Sequence, residues 1–269
     1  EDEGFWEEGS NLVLNHDYED LGSELVTCGN FECGSPLSDW SVSGTVTIAN
    51  GVASFVDDGT NTNSGVAQSV LATNKNYKIT FDVTRYVAGQ IQITSGAGTY
   101  DVNITGGIGE YTTYIQSESS TQFRIKRNGG SANFDFDIDN VSVKQVDPND
   151  RWTLGTGWSI EDGKLVGTSV STQFAQQSLT LTSGTSYEVT FSITGADTLL
   201  NNNSFRYPYD GAVSNINYLP KDSPDGTYTN VFTSTGSSIL YLGYIDAGTF
   251  TGTIDNVTVR EYAVQPKDI

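Results

Sequence analysis

The chain of 269 residues sets 33 acidic against 13 basic side chains, a formal net charge of -20 and a pI near 4.1. That balance excludes a nucleic-acid partner, whose phosphates need Lys and Arg, and favours a soluble, self-repelling surface. Two Cys and one His cannot fill the ligand set of a structural zinc ion, and no stretch approaches the ~20 apolar residues of a membrane helix. Abundant Ser, Thr and Asn, 29 Gly and no long run at helical spacing predict an all-β fold of short strands joined by turns.

The amino end, "EDEGFWEEG", reads as a solvated acidic segment with an aromatic anchor. Next comes "NLVLNHDYE", residues 11–19, which matches "ELVTCGNFE", residues 24–32, in Leu-Val and in aromatic-Glu at the same spacing. Within the second of these openers, Cys28 and Cys33 fit a local disulfide about the Gly29-Asn30 turn in an oxidising compartment, or two reduced thiols.

From there the chain is written twice. "DWSVSGTVTIANG" from Asp39 is answered by "GWSIEDGKLVG" from Gly157, with Asn50-Gly51 and Asp162-Gly163 as hairpin turns. "NYKITFDVT" sets Tyr77, Ile79, Phe81 and Val83 on one face of a strand, and "SYEVTFSIT" does the same with Tyr187, Val189, Phe191 and Ile193. "GEYTTYI" returns as "GTYTNVF", and "FDIDNVSVKQV" as "GTIDNVTVREY". Four matched blocks in one order predict two copies of a domain, 24–147 and 148–262, each long enough to bury its own core. "VDPND" forms a short joint, and residues 263–269 form a polar tail.

Residues 1–23 stand outside that pair. The second copy passes from Pro148 to Trp152 with no opener of its own. Either the strand at Asn11 completes the second domain, the first being inserted between its parts, or it extends the first copy or finishes an earlier module. The lack of Met, including at position 1, leads us to expect a processed chain or a segment of a larger assembly.

The openers, a Trp some way after them and the closing "IDNVSV" together resemble the calcium-containing β-jelly-roll carbohydrate-binding modules attached to secreted xylanases and laminarinases. Similar modules occur in bacteriophage structural and tail proteins, and "LGTGWSIEDGK" is similar to those. The resemblance implies two tandem β-sandwich (jelly-roll) domains and a structural Ca2+ where first and last strands meet. Its ligands would be Glu32 and Asp139, near Asn30, in the first copy, with Asp17, Glu19 and Asp255 as the acids for a second site. Read as turn residues, Asp139 and Asp255 would merely lead the chain into its last strand.

Glycan sites pair an exposed ring with amide and carboxylate groups. The candidates are Tyr86, Tyr100, Tyr111 and Tyr114 in the first copy, and Tyr207, Tyr209, Tyr218 and Tyr244 in the second. Each could instead be an ordinary strand residue. Trp40 and Trp158 take equivalent places in the repeat, which assigns them to packing. Nucleophilic catalysis would have to rest on His16, the one imidazole, so the expectation is no enzyme. Asn103, Asn140, Asn202 and Asn256 head Asn-X-Ser/Thr sequons, two of them inside the closing motif.

The expected function is non-catalytic glycan recognition or surface adhesion. The setting is extracellular, secreted or on a virion surface, within a larger assembly such as a phage fibre or capsid decoration. A purely structural spacer, or a targeting module of a secreted polysaccharide-degrading enzyme, is the competing reading. The partners are a polysaccharide or cell-surface glycan and other subunits of such an assembly.

Overall fold

The computed structural model describes residues 10–34, 36–57, 63–95, 102–117, 119–127, 133–196, 205–212, 215–220, 222–245 and 248–262. Tyr100 and Asn202 lie outside them. The chain forms two compact units: Leu21–Val146, and a discontinuous one that takes the chain up to Asp20 and again from Asp147. Both are β-sandwiches of antiparallel strands.

In the Leu21–Val146 unit, one sheet runs Val46–Ala49, Val52–Val56, Asp135–Val146, Lys75–Ala88, Gly109–Ser117, with Leu21–Glu24 also on the Asp135–Val146 strand. The other runs Ser41–Ser43, Gly65–Gln68, Phe123–Arg127, Gln90–Ser95, Val102–Thr105. Strict alternation buries Tyr77, Ile79, Phe81 and Val83 on one side and leaves Lys78, Thr80 and Asp82 partly exposed. Phe55, Phe81, Phe136, Phe123 and Ile125, drawn from both sheets, close the core between them.

The discontinuous unit repeats the plan. Its larger sheet runs Trp158–Glu161, Lys164–Val170, Phe250–Glu261, Ser186–Thr194, Gly226–Thr233. Its smaller sheet runs Thr153–Leu154, Ala175–Ser178, Ile239–Leu242, and continues through single bridges from Tyr209 to Tyr241 and from Phe205 to Ile245.

The closing motif owes its form to a change of strand partner. Ile138 pairs with Ala53, but three residues later Val141 N-H donates to Gly29 O and Leu25 N-H to Val143 O. Between them Asn140 takes a left-handed φ of 51°, which Asn tolerates better than most side chains, and the register shifts. The preceding Asp139 carboxylate caps the Asn140 N-H at 2.6 Å. In the other unit Ile254 pairs with Leu165, Asn256 has φ 52°, and the opener that follows is the amino-terminal one: Val257 N-H donates to His16 O and Leu12 N-H to Val259 O. Asp255 caps Asn256 in the same way.

The two openers superpose in their bonds as well as in sequence. Gln68 holds Thr27 through both backbone groups, and Gln177 holds Leu14 likewise. Trp40 Nε1 donates to Cys28 O and Trp152 Nε1 to Asn15 O, each at 3.0 Å. The rings pack at a tilt against Phe31 and Tyr18 respectively, both with centroids 5.2 Å apart. The counterpart of Trp40 is therefore Trp152, which corrects the pairing with Trp158. The shared Trp-Ser dipeptide misled the alignment, because Trp158 instead begins the hairpin strand that corresponds to Val46 and packs on Phe250. Leu21 pairs with Val146, so the chain enters and leaves the Leu21–Val146 unit on neighbouring strands.

Candidate functional site

In the smaller sheet of the discontinuous unit, alternation sends Ala175, Gln177, Leu240 and Leu242 into the core and turns Gln176 and Tyr241 outward. Register then builds a row across four chain segments, Thr153, Gln176, Tyr241 and Tyr209, on one face. Phe174 meets Tyr241 edge-on at 4.8 Å and lies along Tyr244 at 5.9 Å. The Arg206 guanidinium stands 4.4 Å over the Tyr244 ring and donates to Tyr209 Oη at 3.0 Å. Tyr209 is buried at 6% exposure, whereas Phe174, Tyr241 and Tyr244 are half-exposed. Tyr209 thus supports the patch, and the other three rings present it.

The loop beside this patch is set by Asp210. Its buried carboxylate accepts from Ala212 N-H, Asn215 Nδ2, Thr235 N-H and Thr235 Oγ1. Burial pushes this carboxyl up, but those donors outweigh burial and hold it below the usual Asp range. The next residue, Gly211, has φ 83° and lies flat on Tyr241, where a Cβ would come within 2.7 Å of the ring. Only Gly meets both conditions.

Along the same face runs a groove of about 240 Å³, lined by Leu14, Asp150, Arg151, Thr153, Gln176 and Ser178 among others. Rings that offer an apolar face, next to an amide, a carboxylate and a guanidinium, suit a ligand with alternating apolar and hydroxyl surfaces.

The tyrosines singled out in the sequence fall in several places. Tyr244 belongs to the patch. Tyr207 packs on Phe191 and Tyr228 at 5.7 and 6.3 Å, and burial pushes its hydroxyl up. Tyr218 is in a two-residue ladder with Arg206. Tyr86 and Tyr111 bond back to their own loop at Gly89 O and Gly107 O, and Tyr111 stacks on Phe81. Tyr114 pairs with Lys78 in the larger sheet. Phe174, Gln176, Arg206 and Tyr241 were not singled out. The alternation in "ILYL" marks Tyr241 as outward, but nothing local in the sequence brings Phe174 to it.

Of the acids proposed for calcium, Glu32 lies against the Asn50-Gly51 turn and Glu19 against Asp162-Gly163, their Oε1 atoms 3.3 and 3.2 Å from where a glycine Cβ would be. Burial pushes the Asp139 carboxyl up, and the neighbouring charges of Asp82 and Glu32 push it further. Asn30 donates to Glu32 at 3.4 Å, and Asp17 is half-buried in the turn of the amino-terminal opener. Among the described residues no three His, Cys, Asp or Glu side chains converge as a metal site. Cys28 and Cys33 are joined as a disulfide.

No family model matches this chain, and no curated protein matches it in sequence. Among solved structures, it is similar to the tandem CBM22-1–CBM22-2 domains of Xyn10C from Paenibacillus barcinonensis, at 12% identity and a TM-score of 0.35, over 90% of this chain and 98% of that one. It is also similar to a CBM4 structure, at 17% identity and a TM-score of 0.27, over 49% and 99%. Allantoicase from Saccharomyces cerevisiae, an enzyme by its name, is similar at 12% identity and a TM-score of 0.29, over 94% and 93%.

Proposed function

We propose that this chain is a non-catalytic, extracellular carbohydrate-binding protein whose principal site is the outward face of the smaller sheet in the discontinuous unit. The carrying observation is the trio Phe174, Tyr241 and Tyr244, half-exposed beside a polar groove. Pyranose C-H faces stack on such rings, and their hydroxyls bond to groups such as Gln176, Asp150 and Arg151. The Cys28–Cys33 disulfide supports an oxidising location. Calcium, held through Glu32 with Asp139 and through Glu19 with Asp255, would tie openers to closing strands and act on stability, not on sugar contact.

The test is affinity electrophoresis and calorimetry of the whole chain against neutral polysaccharides, with calcium and again with chelator. Tyr241→Ala should weaken binding roughly thirtyfold, the loss of about 2 kcal/mol expected when a central aromatic contact is truncated. Calcium should raise the melting temperature and leave the affinity at saturation unchanged. Full binding by a folded Tyr241→Ala protein would remove the site from this face.

A further inference from the structure

The corresponding face of the Leu21–Val146 unit has the same lattice and opposite chemistry. Since Gln68 and Gln177 hold their openers identically, Ala67 corresponds to Gln176 and Gly65 to Phe174. Register extends the correspondence: Ser41, Ala67, Arg124 and Thr94 form a row, as do Thr153, Gln176, Tyr241 and Tyr209. Arg124 thus stands where the other unit has Tyr241. The next row on this face is Ser43, Gly65, Lys126, Gln92 and Asn103. Among the described residues neither row contains an aromatic or an acidic side chain.

The cations are seated deliberately. Gly65 leaves the room that Phe174 fills in the other unit, since a Cβ there would lie 2.8 Å from Arg124 Nε and 3.0 Å from Lys126 Cβ. Arg124 Nη2 donates to Ser43 Oγ and Asn63 O, both at 2.8 Å, and to Asn63 Oδ1 at 3.2 Å. All three acceptors are neutral, so they fix the guanidinium without cancelling its charge. Among the described residues neither Arg124 nor Lys126 forms an ion pair. In a chain of 33 acids and 13 bases, two adjacent cations with no carboxylate among the described residues of their rows are a local exception. A fixed guanidinium next to a flexible ammonium suits a planar or tetrahedral oxyanion.

We propose that this face is a second binding site, for an acidic polysaccharide whose carboxylate or sulfate groups bind Arg124 and Lys126. The chain's overall negative charge does not forbid this, because screening confines fields to about 10 Å at 0.1 M salt. The two units would then bind different classes of sugar, one by stacking and the other by charge.

The whole chain is run by affinity electrophoresis through polygalacturonate, dextran sulfate and uncharged dextran. Retardation by one or both acidic polymers is expected, weakening with added salt and falling on the order of tenfold for each cation removed in Arg124→Ala and Lys126→Ala. Tyr241→Ala and Lys78→Ala, a cation of the larger sheet, should leave it unchanged. Polygalacturonate alone, or dextran sulfate alone, identifies the acidic group. Because Arg124 also braces Asn63, Lys126→Gln supplies a variant that breaks no hydrogen bond among the described residues. Absence of retardation in both acidic gels overturns the proposal, as does full retardation of folded Lys126→Gln and Arg124→Ala proteins. Equal loss in Tyr241→Ala assigns the anion to the aromatic face and overturns it as well. Binding of neutral polysaccharide and its loss in Tyr241→Ala stand or fall separately.

Discussion

Replacement of Asp210 by Asn tests whether one buried carboxylate holds the loop that flanks the aromatic patch. In the native protein Oδ1 faces two N-H donors, from Ala212 and Asn215, and Oδ2 faces the Thr235 N-H and hydroxyl. An amide must turn its NH2 towards one of those pairs. The less costly choice is Thr235, whose hydroxyl can reverse and accept, yet the Thr235 N-H then meets another donor. One orphaned backbone donor together with the loss of charge assistance costs about 2–4 kcal/mol. At roughly 3 °C per kcal/mol for a unit of this size, its melting should fall by about 6–12 °C at pH 7, read by calorimetry. Hydrogen exchange should rise in peptides covering 205–212 and 222–245.

The pH dependence carries the sign. The folded Asp210 carboxyl lies below the ordinary Asp range, so its contribution is present above that range and fades as pH falls through the folded value. The gap between native and Asn proteins should therefore close in acid. A variant that melts within about 1 °C of the native protein at pH 7, with exchange unchanged, would refute the reasoning.

Tyr18 offers a change in the opposite direction. Its ring is 1% exposed and its hydroxyl is buried with no hydrogen-bond partner among the described residues, while Phe31 fills the matching position in the other unit. Tyr18→Phe should stabilise by about 1 kcal/mol in urea denaturation; a loss of that size would show the hydroxyl to be bonded. The Cys28–Cys33 bridge closes a loop that the other unit holds with the Asp20 N-H on Asn15 Oδ1 at 3.1 Å. For so short a loop the chain-entropy gain is about 2 kcal/mol, so Cys28→Ser/Cys33→Ser should lower the melting of the Leu21–Val146 unit by several degrees and leave the other unit's transition in place. An unchanged transition would mean that hydrogen bonds alone suffice there, as they do at Asn15.

Much of the fold could be seen in the residues. Period-two alternation marked Tyr77 to Val83 and Tyr187 to Ile193 as one-sided strands, and these are interior strands of both large sheets. Asn50-Gly51 and Asp162-Gly163 marked hairpins, and both turns are there, each with the left-handed pair that such dipeptides favour. The site was much less legible. Tyr244 was singled out, but Phe174 and Arg206, which touch it, and Gln176, beside Tyr241, are ordinary residues of strands and loops until they are juxtaposed. The Trp-Ser coincidence shows the same limit: Trp40 and Trp152 share a role through the carbonyls of Cys28 and Asn15, which no dipeptide encodes.

Sequence by itself determined which side chains face inward, where the chain turns, and that a sandwich is written twice. Those properties are local, fixed by side-chain alternation, by glycine and asparagine at left-handed positions and by the reach of neighbouring residues. Only the tertiary structure decided that the opener at Asn11 bonds to Val257 and Val259, nearly the whole chain away, and that Thr153, Gln176, Tyr209 and Tyr241 stand in one row while Ser41, Ala67, Thr94 and Arg124 stand in another. A strand edge offers the same N-H and C=O groups to any partner. Which strand it receives, and so which side chains become neighbours, follows from how the buried faces pack together.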